Sequence, residues 1–272
     1  GEAIPAELAV YEGYYTNGNG LLRLSFDWPA NTLTLYNASG SEETKAFSGV
    51  YENGYFHGPG AKYYLATVDS RRLLVMHWDI FNLDMVASEK LEKLAAPQEL
   101  AVPVDSRRWL RRNARAYEGP NTEGYVFSSR LIPALPGYAE FGGIVKVTGA
   151  TTASYPVSAM RDLEQLIITS EDGVTWAWIN GLLYSAADAA RILDGGSTSL
   201  TIGSQGYAEW LKIGQDSILS FTKPRQGKVL VFDPKGTPIY DSTTDSGEVF
   251  VAAGGFIAVA GDPADTFTVQ VR

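Results

Sequence analysis

Apolar and polar residues alternate with a period of two through the first ninety residues. Leu22, Leu24 and Phe26 alternate with Arg23, Ser25 and Asp27. After a turn at Trp28-Pro29-Ala30-Asn31, Leu33 and Leu35 alternate with Thr32, Thr34 and Tyr36. A strand sends successive side chains to opposite faces, so the pattern predicts strands with one buried and one wet face. Asn17-Gly18-Asn19-Gly20 and Asn53-Gly54 predict hairpins, because Asn and Gly tolerate the positive φ of a type I′ turn. Lys62 to Val68 and Arg72 to Trp78 predict another hairpin, closed at Asp69-Ser70-Arg71.

The pattern changes at Ala95-Ala96-Pro97-Gln98 to Pro103, whose two prolines place a linker there. Residues 1–97 are therefore expected as an antiparallel barrel-like domain. Residues 98–272 are expected as a second β-rich domain, with a possible division near 214 into a β/α part and a terminal β-sandwich. Ser106 is positioned to cap a short helix beginning at Arg107. Strands are then expected at Gly124 to Arg130, Gly142 to Thr148, Leu163 to Thr169 and Val174 to Ile179. One clear helix is expected over Ala186 to Leu193, capped by Ser185 and ended by Gly195-Gly196. Further strands follow at Ser217 to Thr222, Lys228 to Asp233, Val249 to Ala252, Phe256 to Ala260 and Thr266 to Val271. The fold class is all-β: an N-terminal lipocalin-like antiparallel barrel, then a second barrel or sandwich region with one or two short helices.

A loose echo links Tyr11-Glu12-Gly13-Tyr14-Tyr15, Tyr51-Glu52-Asn53-Gly54-Tyr55-Phe56 and Tyr117-Glu118-Gly119. Its irregular spacing favours reuse of strand-entry aromatics over a true repeat array.

Composition narrows the function classes. The 272 residues are 45% hydrophobic and 19% charged, an ordinary globular balance, and at roughly 150 residues per domain they suggest about two domains. A net charge of −9 disfavours nucleic acid, which needs a basic face. With no cysteine there is no disulfide, thiolate metal site or cysteine nucleophile. No apolar run approaches the roughly 20 residues of a membrane-spanning helix. The start at Gly1-Glu2-Ala3 lacks an initiator Met and reads as a trimmed fragment.

Catalytic constellations are largely missing. The only histidines are His57, in a Gly-Pro turn, and His77, in a strand, and neither reads as a metal ligand. No Gly-x-Ser-x-Gly elbow occurs. His57-Gly58-Pro59-Gly60 fails as an oxyanion loop because Pro59 lacks an amide donor. Ser220-Phe221-Thr222-Lys223 matches Ser-x-x-Lys, but a strand would turn residues three apart to opposite faces and keep Lys223 from Ser220. Asp241, Asp245 and Glu248 around Gly247 miss calcium-loop spacing and read as a solvated turn. Gly203-Ser204-Gln205-Gly206 and Gly254-Gly255 also read as turns. No cofactor or metal is expected. The five arginines Arg107, Arg108, Arg111, Arg112 and Arg115 read either as an anion or partner site or, in preference, as an interdomain latch, in which Trp109 and Leu110 pack and the guanidiniums pair with carboxylates. Arg108, Trp109, Arg112 and Asn113 are its named members.

Several segments resemble the C-terminal region of the CubicO group, the β-lactamase and penicillin-binding-protein-like serine hydrolases. In the first part these are Ala9-Val10-Tyr11-Glu12-Gly13-Tyr14-Tyr15, the hairpin to Gly20 and Tyr51-Glu52-Asn53-Gly54-Tyr55-Phe56. In the second they are Trp109 with Arg112-Asn113, Leu135-Pro136-Gly137-Tyr138, Arg161-Asp162-Leu163, Glu209-Trp210 and Gly254-Gly255-Phe256-Ile257-Ala258-Val259-Ala260-Gly261. The resemblance implies a non-catalytic accessory region that shapes substrate access to, or assembly of, a bacterial hydrolase domain absent from this sequence. No catalytic residue carries over. Its implied partners are that N-terminal catalytic domain and a possible second copy, without nucleic acid or membrane insertion, and its implied location is the periplasm or cell exterior. The alternative expectation is a self-sufficient module binding a small molecule, glycan or cell-wall fragment. Tyr14, Tyr15, Tyr55, Tyr63, Tyr64 and Trp78 would be its stacking faces.

Overall fold

The computed structural model describes residues 1–116, 122, 124–157 and 165–272. Two compact units form: Gly1–Leu100 with Arg130–Glu164, and Ala101–Ser129 with Gln165–Arg272.

The first eight strands are β1 (Gly13–Thr16), β2 (Leu21–Asp27), β3 (Thr32–Asn37), β4 (Thr44–Glu52), β5 (Tyr55–Gly58), β6 (Ala61–Val68), β7 (Arg71–Trp78) and β8 (Leu83–Lys90). Each pairs antiparallel with the next, and β8 returns to β1 through Tyr15↔Lys90 and Thr16↔Glu89, closing an up-and-down barrel. Closure removes both sheet edges, which would otherwise recruit foreign strands. The expected turns take the left-handed backbone that their short polar residues and glycine admit. Asn53 and Gly54 join β4 to β5 at φ 52° and 83°, and Asp69 and Ser70 join β6 to β7 at φ 50° and 65°. Leu24, Phe26, Leu33 and Leu35 face inward with Tyr15, Phe56 and Leu74, as their alternation requires. A 3-10 turn over Ala6–Tyr11 precedes β1, and Ile4 and Leu8 from this segment join the same core.

The next eight strands are β9 (Arg107–Arg111), β10 (Val126–Leu131), β11 (Tyr138–Glu140), β12 (Ile144–Val147), β13 (Thr152–Ser154), β14 (Gln165–Glu171), β15 (Val174–Ile179) and β16 (Leu182–Ala186). They form a second closed barrel in the order β10-β11-β12-β13-β14-β15-β16-β9.

The C-terminal strands are β17 (Arg191–Leu193), β18 (Ser197–Thr201), β19 (Glu209–Ile213), β20 (Ser217–Thr222), β21 (Lys228–Phe232), β22 (Pro238–Asp241), β23 (Val249–Val251), β24 (Phe256–Ala260) and β25 (Thr266–Val271). They make a five-stranded sheet, β17-β19-β24-β21-β22, and a four-stranded sheet, β18-β25-β20-β23. Leu211, Val229, Val231, Ile257, Val259, Phe267 and Val269 fill the space between these sheets. The other face of the five-stranded sheet is buried too. There Trp210, Leu230, Phe232, Phe256 and Ala258 pack with Leu110, Tyr125 and Val126. This two-sided burial is why β21 and β24 are buried at every position instead of alternating.

Two expected helices are not formed. Ser106 takes φ 54° in a turn, and Arg107–Arg111 is a strand whose Trp109 is fully buried and donates Nε1–H to Ser129 Oγ at 2.8 Å. Ser185 lies within β16, paired with Leu110 and Trp176, so it caps nothing. Only Ala187–Ala189 turns, as 3-10 helix, before Arg191–Leu193 pairs with β19. Burial of Leu193 and Ala187 and the sheet ladder outweigh a local helix preference of a few tenths of a kcal/mol per residue, or about 0.7 at most.

Candidate functional site

The two tightest hairpins of the second unit build one wall of a cleft. Asp172-Gly173 (φ 50° and 77°) joins β14 to β15, and Asn180-Gly181 (φ 49° and 86°) joins β15 to β16. Along β15, Thr175, Ala177 and Ile179 are buried. The alternate residues Trp176 and Trp178 therefore share the opposite, outward face. Thr169 stands across from Trp176, and Leu183 across from Trp178. Trp178 is 40% exposed, an unusual setting for the largest apolar side chain.

The second wall is the segment 203–207 between β18 and β19. Gly206 N–H donates to Gly203 C=O at 3.0 Å, the expected turn. Arg115 Nη1 fixes this turn through the Gly206 carbonyl at 2.6 Å, and Ala208 N–H donates to Arg112 C=O at 2.6 Å. Trp210 Nε1 donates to Arg111 C=O at 2.8 Å. So held, Tyr207 places its ring centre 6.0 Å from that of Trp176, inclined by 49°. The cleft encloses about 490 Å³. Trp176, Trp178, Tyr207 and Leu183 form its apolar lining, and Arg112, Glu209, Glu171, Thr169, Ser204 and Gln205 its polar one.

Arg112 is the electrostatic centre. Its Nε donates to Ala208 C=O at 2.8 Å and its Nη1 to Ser185 Oγ at 3.3 Å, while Nη2 lies 3.7 Å from Glu209 Oε2. Burial holds the Arg112 guanidinium below its usual range, opposed by Glu209 and then Tyr207. Burial pushes the Glu209 carboxyl up, opposed by Arg112 and then Arg191. For both groups the loss of water outweighs the partner. The same two side chains also line a neighbouring cleft of about 240 Å³ with Leu110, Leu200 and Trp210.

The aromatics singled out from sequence do not converge. Tyr15 is fully buried, donating its hydroxyl to Tyr11 C=O at 2.7 Å, and burial pushes its pKa up. Tyr63 packs on the same barrel core, and Tyr14 packs beside Leu21 and Tyr138. Exposing the fully buried Tyr15 would forfeit roughly 1.5–3 kcal/mol, so that ring serves packing. Tyr55, Tyr64 and Trp78 lie elsewhere on the barrel. Tyr55 meets Tyr64 edge-on at 5.7 Å and lies 5.8 Å from His77. Trp78 is 41% exposed, 5.9 Å from Phe81.

Two of the expected latch residues have hydrogen-bond partners in the second unit. Arg108 Nε donates to Ser128 Oγ at 3.3 Å, and Asn113 Nδ2 donates to Gly181 C=O at 2.7 Å. Arg107 makes a close two-toothed pair with Asp188 at 3.1 and 3.2 Å.

His57 shares a hydrogen bond with Glu52 C=O at 3.1 Å, and His77 Nδ1 lies 2.5 Å from Asp84 Oδ1. Among the described residues no group of three or more His, Asp and Glu side chains is placed to hold a metal ion. Ser220 lies in β20 with its hydroxyl 3.4 Å from Gln270 Oε1, while Lys223 Nζ donates to the carbonyls of Pro224 and Arg225. Asp245 Oδ2 accepts Asp241 N–H at 2.8 Å, and Glu248 pairs with Arg272 at 3.0 Å. The echo at 117–119 and the segment 161–163 lie outside the described residues.

Sequence reasoning singled out Arg112 but not Trp176, Trp178 or Tyr207. Two tryptophans at alternate positions, separated by the small Ala177, were the available signal.

No family model matches the chain, and no curated protein or solved structure matches it either.

Proposed function

We propose that the chain is a carbohydrate-binding module whose site is the cleft of Trp176, Trp178 and Tyr207. The observation that carries this reading is the pair of outward tryptophans on one strand face, opposed by a tyrosine and bordered by a desolvated Arg–Glu pair. An aromatic face is flat, apolar and electron-rich, and it suits the weakly positive C–H face of a pyranose ring. Hydroxyl groups around the ring rim need both donors and acceptors. Arg112 supplies the first, Glu209 and Glu171 the second, and Gln205, Ser204 and Thr169 both. Stacking faces with a few placed polar groups are what a small-ligand site requires.

The test is calorimetric titration of the chain with chito-oligosaccharides, cello-oligosaccharides and soluble cell-wall glycan strands. Saturable binding to one class is expected, weakened about tenfold or more by Trp178→Ala with the melting temperature retained. No binding across the panel, or wild-type affinity retained in both Trp176→Ala and Trp178→Ala, refutes the reading.

The segments that resemble the CubicO accessory region are the basis for placing such a module beside a serine hydrolase domain in a longer protein, where it would hold substrate near the catalytic cleft. A closed eight-stranded antiparallel barrel is also the architecture that resemblance implied. A gene whose upstream region encodes no helix bearing Ser-x-x-Lys removes this placement.

A further inference from the structure

A separate cleft of about 520 Å³ lies in the second unit, lined by residues of β9, the turn before it, β19 and β24. Its charged residues are Arg107, Arg108, Lys212, Asp105 and Asp188, three cations against two carboxylates in a protein of net charge −9. Arg107 and Asp188 are matched to each other through two hydrogen bonds. Arg108 and Lys212 have no ion-pair partner among the described residues.

The two cations flank one ring, and Lys212 also lies near enough to Asp188 to help lower its carboxyl after Arg107. The Arg108 guanidinium carbon lies 5.5 Å from the centre of Phe256, and Phe256 is 1% exposed. Lys212 is the cross-strand partner of Phe256, so its stem and the ring share a sheet face. Burial holds Arg108 below its usual range, only partly offset by Asp233. Asp233 cannot readily turn toward it, because its Oδ1 accepts the amides of Lys235 and Thr237 at 2.9 Å. At the lip, Ser106 holds φ 54°, a conformation glycine would adopt more freely, and contributes to the lining.

We infer that this cleft binds a compact oxyanion, the phosphate or carboxylate end of a small ligand, between the Arg108 guanidinium and the Lys212 ammonium. A guanidinium fork and an ammonium on rigid strands provide charge-assisted hydrogen bonds without reorganisation.

The test is titration of the full chain with inorganic phosphate, and separately with acetate, at low ionic strength, read on backbone amide shifts. Saturable binding is expected, with Ser106, Arg108 and Lys212 amides moving and affinity falling about tenfold in Arg108→Gln and in Lys212→Gln. Tighter phosphate than acetate assigns a phosphorylated ligand, and the reverse assigns a carboxylate. If Arg108→Gln fails to fold, Lys212→Gln decides alone. Absence of saturable binding of either ion, or unchanged affinity in the folded variants, overturns the inference. This titration and the saccharide titration read different residues, so either can fail alone.

Discussion

The Arg112 guanidinium carbon lies 5.1 Å from the centre of the Trp176 ring, over its face. One side chain thus braces a stacking surface and carries the charge beside it. Arg112→Leu leaves the Glu209 carboxylate half-buried without its cation, and should destabilise the protein by roughly 2–3 kcal/mol. Arg112→Lys should recover part of the stability and little of the saccharide affinity, because an ammonium cannot reproduce the planar fork. Chemical denaturation and calorimetry on the same samples separate the two effects.

Trp109 is fully buried with its indole N–H bonded to Ser129 Oγ, and that oxygen also bonds Val104 C=O. Trp109→Ala should cost roughly 3–5 kcal/mol from lost burial and the cavity left behind. Ser220→Ala should stay within about 0.5 kcal/mol, since the exposed hydroxyl makes only a long bond to Gln270 among the described residues. Any ester or β-lactam turnover by the chain should also survive Ser220→Ala. Turnover that vanished in this variant would reinstate Ser-x-x-Lys as chemistry.

Gly54 and Gly236 share a left-handed backbone, at φ 83° and 88°, but not their surroundings. A methyl group on Gly54 meets nothing within 4 Å, whereas on Gly236 it would sit 2.9 Å from Val126 C=O. Gly54→Ala should cost about 1 kcal/mol from backbone strain alone. Gly236→Ala should cost about 2–3 kcal/mol, because overpacking adds to the strain. Equal melting temperatures for the two variants would refute the crowding.

Two carboxylates should tilt stability with pH in opposite directions. Asp84 is held below the usual range by its hydrogen bond to His77 and then by Tyr64. Its contribution is therefore present above the unfolded value of about 3.9 and is lost as pH falls through the folded one. Glu209 is raised by burial, so its contribution is present at low pH. That contribution is lost as pH rises from the unfolded value of about 4.3 through the folded one. Thermal melts from pH 2 to 7 should show Asp84→Asn flattening the acid-side loss and Glu209→Gln flattening the neutral-side loss.

Much of the architecture was legible because its signals are local. Leu22 to Tyr36 alternates, Asn53-Gly54 turns, and the boundaries of β15, β20, β24 and β25 follow from apolar runs. The helix expected after Ser185 was not, because Ala186 to Leu193 has good helix formers whose fate is set by distant partners, Trp109 and Ile213. The candidate site was the least legible. Tyr15 and Trp178 are both aromatics in strands, and only the identity of the covered face separates packing from display. That face is decided by closure of the ladder, which no short window contains.

Strands β21 and β24 lie inside their sheet, each with a paired strand on both flanks and a packed layer above and below. Their amide protons have no shallow route to solvent. Exchange with deuterated water at these positions should wait for opening of the entire sandwich, making Val229 to Val231 and Ile257 to Val259 the timekeepers of its rarest fluctuation.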